Sequence, residues 1–259
     1  MKKIIAVILA FVLVFSLCAC GAKKDDNKFV VGFDAEFPPF GYIAEDGSYD
    51  GFDLAMAKEV CDRLGWEFEA VPIDWNAKDA ELAAGNISCI WNGFTCTGRE
   101  DEYTWSDAYV DNSIVVVVKA DSGISSLADL AGKNLMVQAA SSGADAVYAN
   151  EELAASCNVV ELPDYNMGFI EIAQGTVDAI AVDLGVAAFQ IAANGGDFVI
   201  LDEPVSTEQY AIGFLKGNTE LRDKVNAVLL DMAADGTMLK IAENYVDVGV
   251  VIDSLCLIK

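Results

Sequence analysis

Gly51-Phe52-Asp53-Leu54-Ala55-Met56-Ala57-Lys58-Glu59-Val60-Cys61-Asp62-Arg63-Leu64-Gly65 sets a large apolar residue at every fourth position. Phe52, Met56, Val60 and Leu64 therefore stack on one face of an α-helix, and Gly65 just past the last of them is a stop signal. β-Rich runs bracket the helix, about Phe29–Phe33 before it and Phe68–Val71 after it. A second helical pattern near Ala77–Ala84 leads to a third strand near Ile87–Trp91. Strands alternating with helices predict a parallel sheet with crossover helices.

The rhythm then restarts. An apolar strand is expected near Ser113–Lys119, then a short helix at Ser126–Leu130 capped by Ser125. Strands near Leu135–Gln138, Val159–Glu161, Val177–Val182 and Phe198–Leu201 alternate with helices near Ser142–Asn150, Met167–Gln174 and Leu184–Ala193. Tyr210–Leu215 follows, and helices near Thr219–Ala234 and Met238–Tyr245 finish the chain. This predicts an α/β protein of two lobes, each a mainly parallel sheet flanked by helices. Open α/β sheets bind ligands beyond the carboxyl ends of their strands, so two facing lobes make a cleft for a small molecule.

Composition narrows the function. Of 259 residues 54% are apolar, enough to fill real cores. Sixteen basic against 41 acidic residues give a net charge of −25. Such a surface repels nucleic-acid phosphates and anionic lipid head groups, so no nucleic-acid partner is expected. The chain has no histidine, which excludes Ser-His and Cys-His catalysis and histidine metal ligands. Neither a metal nor a cofactor is expected.

The first residues read as an address. Met1-Lys2-Lys3 is a short positive region, and Ile4 to Leu17 is apolar and uncharged. That run is short of the roughly 20 residues a bilayer span needs, but it suits a signal-peptide core. Leu17-Cys18-Ala19-Cys20-Gly21 resembles the bacterial lipobox. Residues 1–19 would be the leader and Cys20 the lipidated N-terminus. Cys18 is the competing site, but Leu17 directly before it fits poorly. Two acyl chains suffice for stable anchoring. Residues 20–28 would be a polar tether between membrane and folded body. The five later cysteines, Cys61, Cys89, Cys96, Cys157 and Cys256, have irregular spacing and no C-x-x-C pair. Small buried hydrophobes explain most of them, and one disulfide of unknown pairing is compatible with the spacing.

The segment from Gly51 to Val60 also resembles the signature of bacterial extracellular solute-binding proteins, family 3, with Ala55 where an acidic residue is usual. Further stretches match in order. They are Asp34-Ala35-Glu36-Phe37-Pro38-Pro39-Phe40, Gly93-Phe94-Thr95-Cys96-Thr97-Gly98-Arg99, Val137-Gln138-Ala139-Ala140-Ser141-Ser142 and Asp178-Ala179-Ile180-Ala181-Val182-Asp183. The resemblance implies a two-lobe, periplasmic-binding-protein-like clamp with hinge crossovers near Asp111 and Gln209. Lobe one would be residues 29–110 with 210–259, and lobe two residues 111–209. It also implies a monomeric receptor for a free, polar amino acid, anchored outside the cell and serving the membrane permease of an ABC importer.

An amino acid brings a carboxylate, an ammonium and a side chain, and each needs a partner once water leaves. The family pattern assigns the carboxylate to Arg99, whose guanidinium offers a bidentate fork, and to backbone N–H groups at Ser141 and Ser142. One residue fewer than usual precedes Arg99, and Gly98 is expected to let the shortened turn reach. A local salt bridge of Arg99 with Glu100 or Asp101, and ordinary helix capping by the serines, are the plainer readings. The ammonium falls to Asp183, with Thr95 Oγ and the Gly93 carbonyl as co-acceptors and Asn92 beside them. The plainer reading of Asp183 is an N-cap. Phe37 and Trp75 would sandwich the side chain, with Asp34 and Gln138 at its polar end. The alternative to a receptor is an enzyme on the same fold, a dehydratase of small carboxylates using Glu36 or Asp183. A sensory domain would need signalling segments that the sequence does not show, and calcium binding lacks EF-hand spacing.

Overall fold

The computed structural model describes residues 27–194 and 196–258. The leader, Cys20 and nearly all of the tether lie outside the described residues. Among the described residues no helix is long and apolar enough to cross a membrane.

The first sheet has the order β5 (Glu67–Pro72), β1 (Lys28–Phe33), β6 (Cys89–Ile90), β14 (Gly213–Phe214), β7 (Thr104–Trp105). Strand β1 is parallel to both neighbours; α1 (Phe52–Leu64) leads from β1 to β5, and α2 (Lys78–Ala84) from β5 to β6. Helix α1 stops at Gly65, whose φ of 69° is left-handed and whose N–H closes on the Cys61 carbonyl. Its buried face carries Phe52, Met56 and Val60, and also Asp53. Between β1 and α1 lies a small antiparallel meander of β2 (Glu36–Phe37), β3 (Gly41–Ile43) and β4 (Tyr49–Asp50). These runs are too short to show an alternating pattern.

The second sheet has the order β10 (Asn158–Leu162), β9 (Asn134–Gln138), β11 (Ala179–Asp183), β8 (Val110–Lys119), β12 (Phe198–Ile200), with β13 (Ser206–Tyr210) on the other stretch of β8. Strands β9, β10 and β11 run parallel, whereas β8 is antiparallel to β11, β12 and β13. Both sheets are therefore mixed: the first is mainly parallel as expected, whereas antiparallel pairing dominates the second and corrects the expectation there. The cause is connectivity: the chain leaves the first sheet along β8 and comes back along β13, and adjacent outgoing and returning strands must be antiparallel. Asp111 and Gln209, where the crossings were expected, sit opposite each other in this ladder, and Gln209 Nε2 donates to Asp111 Oδ1 at 2.8 Å.

Strand β8 is apolar from Ile114 to Val118 because both of its faces are covered there. Val115 and Val117 enter one core, while Ile114, Val116 and Val118 enter the other. Each such side chain contributes roughly 1.5–3 kcal/mol by leaving water. The short helix at Leu127–Leu130 is 3-10 and is capped by Ser126, not Ser125, in a reciprocal box with Asp129.

Candidate functional site

The carboxyl ends of the central strands of both sheets converge on one narrow cleft. Asp34 follows β1, and Asn92, Gly93, Phe94 and Thr95 follow β6. Gln138 ends β9, Ser141 and Ser142 open the helix after it, and Asp183 ends β11. Phe37, Trp75 and Arg99 complete the lining. All eleven side-chain and backbone positions singled out in the sequence as ligand contacts thus line one cavity, and Phe94 is the addition.

Arg99 arrives through a tight turn. Gly98 has φ 79°, and Arg99 N–H closes on the Cys96 carbonyl at 3.0 Å. The guanidinium lies 5.8 Å from the Phe94 ring centroid, and its Nη2 donates to Asp145 Oδ2 at 2.5 Å. Asp145 belongs to α3 (Ser142–Ala149), so this pair joins the two sheets' halves of the molecule. The local alternatives do not form: Glu100 accepts from Gly98 N–H, and Asp101 pairs with Lys216.

The serines divide their roles. Ser141 Oγ accepts from Ala144 N–H at 3.1 Å and caps α3, as its plainer reading held. Ala140 before it adopts φ 57°, a left-handed backbone that costs an alanine roughly 1 kcal/mol.

Asp183 occupies the N-cap position of α6 (Leu184–Ala193), yet its side chain makes no capping hydrogen bond. Its Oδ1 instead accepts from Asn112 Nδ2 at 2.7 Å and from the Tyr210 hydroxyl at 2.5 Å. Only 2% of the residue is exposed. Burial first, and then the charge of Glu208, raise its pKa to about 7.

Asp34 and Gln138 meet across the cleft, with Gln138 Nε2 2.6 Å from Asp34 Oδ2. Asp34 N–H donates to Asn92 Oδ1, while Asn92 Nδ2 is buried with no hydrogen-bond partner. Gly93 must be a glycine: its φ is 55°, and a Cβ there would come within 2.8 Å of the Phe37 ring. Its N–H donates to Asp53 Oδ2 at 2.6 Å, and the Tyr109 hydroxyl donates to the same oxygen at 2.7 Å. Burial pushes the Asp53 carboxyl up to about 7. Trp75 packs edge-on against Phe94 at 5.6 Å.

Sequence reasoning missed several polar residues around this cleft. Glu208 accepts from Thr95 Oγ1 at 2.6 Å, from Asn112 Nδ2 and from Ser142 Oγ. Lys78, buried beside Trp75, donates to the Ala140 carbonyl across the cleft at 3.1 Å. Glu36, a candidate acid or base of an enzyme, instead holds Asn166. A signal for Glu208 existed: in Ser206–Tyr210 it shares strand parity with Tyr210, so both point inward.

The profile of bacterial extracellular solute-binding proteins, family 3, matches residues 29–248. The chain belongs to this family. An arginine-binding extracellular protein of Bacillus subtilis, ArtP, is 29% identical over 255 residues, which cover 95% of this chain and 98% of ArtP. The L-cystine-binding protein TcyA of the same organism is 28% identical, over 95% of this chain and 97% of TcyA. An ABC uptake transporter substrate-binding protein from Streptococcus pneumoniae, solved with bound histidine, superposes with a TM-score of 0.81 at 32% identity. That match covers 87% of this chain and 95% of the other. An ancestral arginine-binding protein bound to glutamine gives 0.79 at 35% identity, over 85% and 97%. The family is one of binding proteins.

Proposed function

We propose that this chain is a lipid-anchored receptor that closes on a free amino acid and delivers it to the membrane permease of an ABC importer. The observation that carries the reading is the pairing of opposite charges in one two-sided cleft. Arg99 comes from one side, and the buried, non-capping Asp183 from the other. Such a cleft suits a zwitterion, with the carboxylate on Arg99 and the backbone N–H groups opening α3 and the ammonium on Asp183, Thr95 and the Gly93 carbonyl. Phe37 and Trp75 hold the side chain, with Asp34, Asn92 and Gln138 at its polar parts. Residues 29–110 with 210–259 act as lobe one, and 111–209 as lobe two. Because the ligand touches both, it binds the closed state better and draws the equilibrium there. A purely catalytic reading is not favoured, since Glu36 is engaged with Asn166 outside the cleft lining.

The test is a thermal-shift screen with the ligands of the relatives: arginine, histidine, glutamine and cystine. At a concentration of 100 Kd a true ligand stabilises by about 2.7 kcal/mol, which raises Tm by roughly 5–10 °C. No shift with any amino acid up to millimolar concentration sinks the reading.

The anchor is tested separately. Cys20→Ala is expected to release the protein from the membrane into the medium, because the diacylglycerol has no other attachment point in the proposal. Unchanged membrane fractionation of this variant overturns the anchor and leaves the binding reading intact.

A further inference from the structure

Glu208 is nearly buried, 8% exposed, yet it stands behind the cleft and outside its lining. Its strand, β13, is the returning crossing, and it faces Asn112 of β8 in register. A single oxygen, Oε1, gathers Thr95 Oγ1 at 2.6 Å, Asn112 Nδ2 at 2.9 Å and Ser142 Oγ at 3.1 Å. Those donors come from the loop after β6, from β8 and from the first residue of α3.

An ionised carboxylate only accepts hydrogen bonds, and a hydroxyl has one proton to give. Thr95 Oγ1 also lies 3.1 Å from Ser142 Oγ, but the 2.6 Å bond to the Glu208 carboxylate is the shorter and takes the Thr95 proton away from the cleft, while Ser142 donates to the same carboxylate. What Thr95 Oγ1 offers the cleft is lone pairs. Asn112 donates to Asp183 Oδ1 as well as to Glu208, so it fixes the neighbouring carboxylate from behind in the same way. The wall formed by Thr95 and Asp183 thereby consists of acceptors alone. It rejects a group that cannot donate, because a buried acceptor left unpaired carries its full desolvation cost.

We propose that Glu208 is a positioning residue that sets the hydroxyl polarity of Thr95 and so makes the receptor demand an α-ammonium on its ligand. This rests on the placement of the ammonium at Asp183 and Thr95. A glutamine in its place can donate to Thr95, which frees the hydroxyl proton to turn into the cleft and oppose the ammonium.

The experiment compares each amino acid with its des-amino analogue by calorimetry. The pairs are arginine with 5-guanidinopentanoate, histidine with 3-(imidazol-4-yl)propanoate, glutamine with 4-carbamoylbutanoate and cystine with 3,3′-dithiodipropionate. Wild type is expected to prefer the amino acid strongly. Glu208→Gln is expected to lower that preference by about tenfold or more, mainly through weaker amino-acid binding. Thr95→Ser should keep the preference and Thr95→Val should lower it without abolishing it, since Asp183 remains, and these two variants serve even if Glu208→Gln does not fold. In a Thr95→Val background, Glu208→Gln should add no further loss of preference, since no hydroxyl remains to be set. Unchanged preference in Glu208→Gln, or an equal further loss in the Thr95→Val background, overturns the role of Glu208. Wild type that binds none of the four amino acids, or does not distinguish them from their des-amino analogues, overturns the ammonium placement instead.

Discussion

Asp183→Ala weakens amino-acid binding by about 2–5 kcal/mol, the usual cost of leaving one charge of a buried pair without its partner. The cleft holds the reason. Asp183 is buried at the end of β11, and Oδ1 is already occupied by Asn112 and Tyr210. A ligand ammonium placed there pairs with the only strand-end carboxylate of the second sheet that, among the described residues, lines the cleft. The same group sets a pH dependence. Glu208, Tyr210, Tyr165 and Asn112 are the charged and polar groups arrayed around it, and burial with the Glu208 charge raises its pKa to about 7. Below that pH the free receptor holds a proton where the ammonium must go. Affinity is therefore expected to fall, approaching tenfold per pH unit, as pH drops below about 7, with proton release on binding. Folding responds with the opposite sign. A carboxyl whose pKa is raised on folding contributes stability that is complete below its unfolded value and lost as pH rises through the folded one. Asp183 and Asp53 both make the free receptor more stable toward pH 4 while its affinity declines. Calorimetry in buffers of different ionisation enthalpy reads the proton, and a flat affinity between pH 5 and 8 would remove Asp183 from the ammonium site.

What the sequence made legible, and what it hid, has a physical pattern. Helix α1 was plain because its apolar period is helical and its stop glycine adopts the left-handed backbone that such a stop needs. Strand β8 was plain because burial on both faces leaves an unbroken apolar run, although its first residues were not. Val110 to Asn112 are strand only because β13 comes back to pair with them, and no local pattern announces a partner some 100 residues away. The same nonlocality hid the antiparallel half of each sheet. In the cleft, residues beside strand ends could be named because they fall in stretches that resemble the family pattern, at places where α/β topology puts a site. Asn112 and Lys78 could not, since their meaning comes from what they touch across the molecule, and Glu208 offered only its strand parity with Tyr210. The plainer readings of Ser141 and Asp183 stood beside the functional ones in the sequence. Only the side-chain bonds separated a serine that caps its helix from an aspartate that does not.

Arg99→Ala is expected to cost binding about as much as Asp183→Ala, roughly 2–5 kcal/mol, by leaving the ligand carboxylate without its cation. The competing account is that Arg99 serves only as a latch, since its Nη2 already holds Asp145 across the cleft at 2.5 Å. The two partners of that pair differ in setting. The Arg99 side chain is 12% exposed, against 68% for Asp145. An ion pair with one well-solvated partner is worth little, so Asp145→Asn should change affinity by less than about fivefold. A guanidinium has five N–H donors in a fixed plane, and Asp145 uses one nitrogen of the three. Enough of the fork remains for a carboxylate to be gripped in two places. Arg99→Lys keeps the charge but loses both the fork and the planar face over Phe94, and should fall between wild type and Arg99→Ala. Calorimetry on the three variants separates the accounts. If Asp145→Asn loses as much affinity as Arg99→Ala, closure and not carboxylate recognition is what Arg99 provides. If Arg99→Ala binds like wild type, the ligand carboxylate rests on the N-terminus of α3 alone.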